Sequence, residues 1–181
     1  TDGTIQMVSG VNWDRCTGGT AISGGDSAPK NNCFDNNTST YWASSQATTN
    51  VSGNAYIGYD FGLPVNITYL RLIQYSHQSN AITSAILEYS DDGTSFNRAQ
   101  TISLLNNVST YQEFTINSKH EARYWRLKAN ANPIGGGTWY VYELEMFSPS
   151  GNVNFVSPGV DLSSVSGARY SCINWTGDNV L

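Results

Sequence analysis

Two carboxylates and one polar loop are the first residues here whose chemistry suggests a task. Asp35 sits in residues 32–40, a run of Asn, Asp, Ser and Thr. Such a run turns readily and can fold its carbonyls around an ion. Glu143 offers a second carboxylate from a β-rich segment ending at Phe147. A hard cation such as Ca2+ takes about six to eight oxygens from carboxylates, amides, hydroxyls and carbonyls. Without metal, the same residues read as an Asp-anchored turn and a Glu facing solvent. A second group suits a sugar. Tyr75, His77, Gln78 and Asn80 crowd into one short stretch, and Trp139 closely follows Gly135-Gly136-Gly137. A flat aromatic surface can underlie the C–H face of a sugar ring, while amides and imidazole bond its hydroxyls. Trp139 reads either as an exposed loop-tip platform or as a packed loop aromatic. His77 reads either as a ligand contact or as an ordinary surface residue.

Catalysis finds little support. The chain has no G-x-S-x-G, no H-E-x-x-H and no P-loop. Glu143 and Glu145 stand two residues apart on one strand and so point to the same side. A glycosidase pair must flank its sugar from opposite sides. These two are expected to be one metal ligand and one surface charge. With two His and no nucleophile–base pairing, the chain reads as non-enzymatic.

The elements that must position these residues are strands. Ala55–Phe61 alternates and stops at Gly62 and Pro64. Val65–Tyr75 is one long β-rich run, with Leu70 and Leu72 on one face and Ile67, Tyr69 and Arg71 on the other. Residues 82–90, 96–105, 111–116, 122–129 and 138–147 follow, short, aromatic or β-branched, and separated by turn chemistry. Residues 1–30 offer only Ile5–Val8 as a weak strand. No long stretch carries apolar residues at helical spacing. This pattern implies a sandwich or barrel.

Composition narrows the partners. The 181 residues suit one well-cored domain with short appendages. Charged residues are 13% and aromatics 12%, so the surface meets water through hydroxyls and amides, as many extracellular adhesive modules do. Net charge is −5, and the 9 Lys and Arg form no run. Nucleic acid, which needs several basic phosphate contacts, is disfavoured. Membrane lipid is disfavoured for want of a basic patch. No apolar stretch approaches the roughly 20 residues that span a bilayer. Cys16, Cys33 and Cys172 leave at least one thiol unpaired, with Cys16–Cys33, Cys16–Cys172 and no disulfide all open.

Five segments, in order, carry a resemblance. Residues 33–44 (CFDNNTSTYWAS) resemble the D-G-N-x-x-T-x-W-x-S signature of discoidin domains, also called coagulation factor V/VIII C-type domains. Residues 56–62 (YIGYDFG), 87–96 (LEYSDDGTSF), 122–127 (ARYWRL) and 142–147 (YELEMF) are similar to the later motifs of that family. Family 32 carbohydrate-binding modules and fucose-binding lectins share the fold. The resemblance implies an all-β, antiparallel, discoidin-like jelly-roll sandwich. It assigns residues 31–148 to the domain, 1–30 to an extension packed on it, and 149–181 to a C-terminal extension or linker.

The resemblance also implies a structural Ca2+ held by the Asp35 and Glu143 side chains, the Thr40 hydroxyl, and the carbonyls of Asn32, Asn37, Thr40 and Tyr142. Asn36 stands where the family has Gly, and Asn tolerates left-handed backbone angles better than most residues. Trp42 becomes a core residue, and Arg123 and Arg126 become structural. Ligand loops fall at residues 44–53, 75–81 and 130–139, so Tyr75, His77, Gln78, Asn80 and Trp139 would meet a glycan of galactose-like type. The fucose-lectin H…R-x-D pattern is not intact. The expected function is a non-catalytic, lectin-like module that attaches a larger extracellular, secreted or surface protein, including a viral or phage particle, to glycans. The alternative is a protein-interaction or homo-oligomer module working through residues 149–181. The abrupt ends read as those of a piece of something longer.

Overall fold

Period-two alternation decides most of the architecture. In the computed structural model, which describes residues 14–45, 55–134 and 136–148, Leu70 and Leu72 are fully buried while Tyr69 and Arg71 between them are only partly covered. Trp125, Leu127 and Ala129 are buried against the outward Arg126 and Lys128 in the same way. A strand whose alternate residues are apolar can bury one face and leave the other wet, which is the condition for a two-layer antiparallel sandwich.

The strands are β1 (Thr20–Ser23), β2 (Asp26–Ala28), β3 (Trp42–Ser44), β4 (Tyr56–Asn66), β5 (Tyr69–Gln74), β6 (Ser84–Ser90), β7 (Asn97–Ser103), β8 (Gln112–Thr115), β9 (Glu121–Ala129) and β10 (Tyr140–Phe147). A single 3-10 turn at Lys30–Cys33 joins β2 to the loop before β3. One sheet runs β1-β4-β9-β6-β7 and the other β2-β3-β10-β5-β8, every pairing antiparallel. The all-β sandwich expected from the sequence is what the chain forms. Between the sheets lie Ile57, Leu87, Trp125 and Leu127 from the first, and Trp42, Leu70, Leu72, Val141, Leu144 and Met146 from the second.

Three sequence expectations need adjusting. The sandwich begins before residue 31, because β1 pairs with β4 and β2 with β3, and Asp14 bridges to Phe147. Gly- and Ser-rich composition hid these short edge strands. Nor does the strand that begins at Tyr56 stop at Gly62. It runs on to Asn66 through a register shift between Asp60 and Val65. Pro64 lies within that irregular stretch, where a missing N–H costs no ladder bond. The chain turns instead at Ile67-Thr68, dividing the supposed single run from Val65 to Tyr75. The expectations for Ile5–Val8, for residues 149–181 and for Cys172 fall outside the described residues.

Cys16 and Cys33 are both buried free thiols, so they form no disulfide with each other. Burial pushes both thiols well above their usual range. The two arginines are structural, as expected. Arg123 pairs with Asp60 at 2.7 Å. Arg126 pairs with Glu88 and lies over the Phe96 ring at 3.5 Å.

The Asp60 carboxyl is held below its usual range, chiefly by Arg123. A depressed folded pKa means the pair stabilises the fold above about pH 4, the unfolded value, and loses that contribution as pH falls through the lower folded value. The pair is partly exposed, so its worth is no more than about 1 kcal/mol. Asp60→Asn is expected to cost that much at pH 7 and to become neutral below the folded pKa. Urea melts of both proteins across pH 2–7 check it.

Candidate functional site

Glu145 and Glu143 sit two residues apart on β10, and both are buried, at 4% and 1% exposure. Their surroundings are opposite. Glu145 accepts two bonds from Arg71, at 2.9 and 3.0 Å, and one from the Tyr111 hydroxyl at 2.5 Å. It is thus a satisfied interior ion pair rather than the surface charge expected from sequence. Glu143 has no hydrogen-bond partner on either carboxylate oxygen. A buried, unpaired carboxylate is among the costliest groups a fold can hold. Burial accordingly pushes its carboxyl up to about 8, with the neighbouring Asp35 adding to the rise.

The loop before β3 is wound around that position. Asp35 accepts the Asn37 amide at 2.9 Å and the Thr40 hydroxyl at 2.8 Å. The same hydroxyl lies 2.9 Å from the Asn37 carbonyl. Asn36 holds φ at +57°, the left-handed conformation that lets the loop close, so the residue replacing the family's Gly keeps its backbone role. Asn32 anchors the loop by donating its amide to the Tyr41 carbonyl at 3.0 Å. Tyr142 occupies the register shift between Val141 and Glu143, where a ladder is locally disrupted.

The structure therefore gathers Asp35, Asn37, Thr40 and Glu143 at one place, with Asn32 and Tyr142 flanking it. Among the described residues no three His, Cys, Asp or Glu side chains form a metal cluster. Two carboxylates with neutral oxygens are a donor set for a hard cation, and the orphaned Glu143 oxygens fit one.

At the end of the sandwich, the 75–81 loop is tied to the 130–139 loop. Gln78 is exposed, and its carbonyl accepts the Ile134 amide at 2.9 Å. Asn80 donates its amide to the Thr138 carbonyl at 3.0 Å. The loops meet so closely at Gly137 that a Cβ there would lie 2.1 Å from the Ser79 carbonyl oxygen. The Ser79 hydroxyl bridges His77 Nδ1 and Asn80 Oδ1, at 2.8 and 2.9 Å. His77 Nδ1 also accepts the Ser79 amide at 3.2 Å. Ser79 thus engages Nδ1, and Nε2 is the ring nitrogen this exposed side chain leaves for a ligand.

Of the expected ligand residues, Tyr75, His77 and Gln78 stay accessible, whereas the Asn80 side chain is consumed in holding the loops. Trp139 is a correction. It is fully buried, edge-on to Trp42 at 5.7 Å, with its indole N–H donated to Gln74 at 3.0 Å. Gly136 takes a left-handed φ of +77° in the turn before it, and the ring lies inward against its Gln74 acceptor. It is no platform. Gly135 and residues 46–53 of the third expected loop lie outside the described residues.

Sequence reasoning missed an aromatic group beside this end. Tyr41, Tyr75, Tyr140 and Tyr142 form a closed quartet. Tyr41 stacks on Tyr140 at 5.0 Å and tilts against Tyr142 at 5.5 Å. Tyr75 tilts against Tyr140 at 5.8 Å and stacks on Tyr142 at 6.5 Å. Tyr140 and Tyr142, two apart on a strand, were the available signal. Tyr41 and Tyr75 join them only through sheet pairing. Burial and the proximity of the other three phenols raise the Tyr142 pKa.

This geometry, and not a motif alone, matches a known family. The model of the F5/8 type C domain matches residues 18–144. The chain belongs to the F5/8 type C domain family. That span begins before residue 31, in agreement with β1 and β2. Solved F5/8-like folds are similar to it. One is the family 32 carbohydrate-binding module of Clostridium perfringens NanJ in complex with galactose, at 16% identity and TM-score 0.62, covering 76% of this chain and 98% of that one. Another is chitosan-binding module 1 of a chitosanase/glucanase from Paenibacillus sp. IK-5, at 16% identity and TM-score 0.61, covering 75% and 99%. A third is a family 89 glycoside hydrolase from Clostridium perfringens, at 21% identity and TM-score 0.56, where the match covers 82% of this chain and 16% of that one. A search of curated proteins returned no match. At these identities the likeness shows the fold.

Because Trp139 is core, Trp139→Ala is expected to destabilise the F5/8 domain by about 3–5 kcal/mol, through cavity and lost hydrogen bond. Chemical denaturation measures it. A variant as stable as the parent would contradict the burial.

Proposed function

We propose that this F5/8 type C domain is a non-catalytic, calcium-stabilised carbohydrate-binding module that attaches a larger extracellular or surface protein to glycans. The observation that carries the sugar reading is the pair of bonded loops at the sandwich end. They present His77 Nε2, the Gln78 amide and the half-buried Tyr75 ring together, hydrogen-bonding groups beside apolar surface. That is what a neutral, hydroxyl-rich ligand requires. Similar folds of known structure include a module solved with galactose, which supports a galactose-like sugar as the first probe.

Calcium belongs to the same proposal as a structural ion. The Asp35 and Glu143 carboxylates, the Thr40 hydroxyl, and the carbonyls of Asn32, Asn37, Thr40 and Tyr142 would hold it. The ion would neutralise the buried Glu143 and lock the loop that precedes β3. No step of sugar recognition passes through it. Catalysis has no place in the reading, because Glu143 and Glu145 are both interior and neither faces the loops at the sandwich end.

Two measurements test this. On a glycan array, selective binding that His77→Ala reduces at least tenfold supports the sugar site. A folded protein that binds no glycan removes that reading and returns the question to protein assembly. In thermal melts, calcium is expected to raise the Tm of the parent. Glu143→Gln is isosteric and uncharged, so it should fold without the ion and show no calcium-dependent rise. An equal rise in parent and variant would place the ion elsewhere.

A further inference from the structure

The tyrosine quartet lies outside the sandwich-end loops yet touches them at one residue. Tyr75 follows β5, and its amide is bonded to the Tyr140 carbonyl at 3.1 Å. From Tyr75 the rings pass to Tyr140 and Tyr142 on β10 and to Tyr41 at the start of β3. β3, β10 and β5 are neighbours in one sheet. At about 4.8 Å between strands, three strands carry the rings across about 10 Å, wider than one sugar ring.

Several features mark this as a surface for a ligand rather than a packed cluster. All four rings are half-buried, none fully covered. Neighbouring rings lie 5.0, 5.5, 5.8 and 6.5 Å apart around the quartet. Three tyrosines elsewhere commit their hydroxyls to the protein, Tyr59 to Gly19, Tyr111 to Glu145 and Tyr89 to His120, and among the described residues no other four with uncommitted hydroxyls stack together. No such bond engages the hydroxyls of Tyr41, Tyr75, Tyr140 and Tyr142 among the described residues. The arginine–ring contacts are elsewhere too, on Tyr111, Phe147, Tyr124, Tyr56 and Phe96. The quartet is therefore aromatic, hydroxyl-rich and uncharged. Stacking surface plus free phenols suits neutral sugar rings, whereas an apolar protein partner would leave the phenols unpaired.

We infer that the glycan surface continues from the loops down the sheet through Tyr75, Tyr140, Tyr142 and Tyr41, so that the domain takes a neutral chain of several sugars rather than a single terminal residue. This rests on the carbohydrate reading above and deepens it. His77 and Gln78 would hold one unit at the loops, and the quartet the units that follow.

The test is titration calorimetry of the intact chain with two neutral ladders, β-1,4-linked galactose and N-acetylglucosamine oligomers, each from one to six units. The expected result is a rise of at least tenfold in affinity between one and four units of the ladder that binds. Tyr140→Ala should flatten that rise, lowering four-unit affinity far more than single-unit affinity, while His77→Ala should weaken every length alike. Tyr140→Phe keeps the ring and removes only the hydroxyl, so it should retain part of the rise even if the alanine variant folds poorly. Affinity independent of length in the parent overturns the inference but leaves the sugar site standing. So does a length dependence that both Tyr140 variants preserve. Binding at no length of either ladder overturns the inference, and the glycan array then decides separately whether the sugar reading falls as well.

Discussion

The side-chain amide of Gln74 is the junction on which the functional end of this domain depends. It is buried, and all four of its hydrogen-bonding positions are used. It donates to the carbonyls of Ile82 and Leu105 and accepts from the Ile82 amide and the Trp139 indole. One planar group thus fixes the end of β5, the return of the 75–81 loop, the start of the β7–β8 connection and the entry to β10. Gln112 repeats the device from the far side, exchanging two bonds with the Leu105 backbone. Loops held by a fully satisfied interior network keep their shape without ligand. Displacing any member would leave several buried partners unpaired at once.

One step along the same strand pair, where Glu143 lies opposite Ile73, the condition is the reverse. Glu145 is a buried carboxylate with its full set of donors, and Glu143 is one with none. Such a group is neutralised either by a proton, which its raised pKa favours, or by a cation. In the loop from Asn32 to Thr40, Asp35 and Thr40 are held beside the Asn37 carbonyl, and Asn36 takes up the left-handed turn that closes the loop. That donor set would suit a hard cation.

β10 serves both regions. It carries Glu143 and Glu145 toward the loop and the Arg71 pair, and Tyr140 and Tyr142 toward the quartet, with the register shift at Tyr142 between them. The proposed metal site and the proposed sugar surface would therefore share a strand without sharing a residue's side chain.

The sequence by itself determined the layers. Alternation in β5 and β9 specified buried faces, and Trp42, Arg123 and Arg126 had positions whose structural roles followed from motif context. It also picked out Asp35 and Glu143, because carboxylates in an apolar strand and in a turn-rich loop are visible in one dimension. Pairing and direction were not visible. Gly-flanked Trp139 has the same letters whether its ring points out or in, and only the acceptor offered by Gln74, distant in sequence, decided that it points in. β1 and β2 are too short to show periodicity and exist because β4 and β3 supply their partners. The quartet is assembled from residues 41, 75, 140 and 142 by sheet order alone. Local patterning records how each strand buries itself. Which strands become neighbours, and so which side chains act together, is settled by packing two sheets into one core.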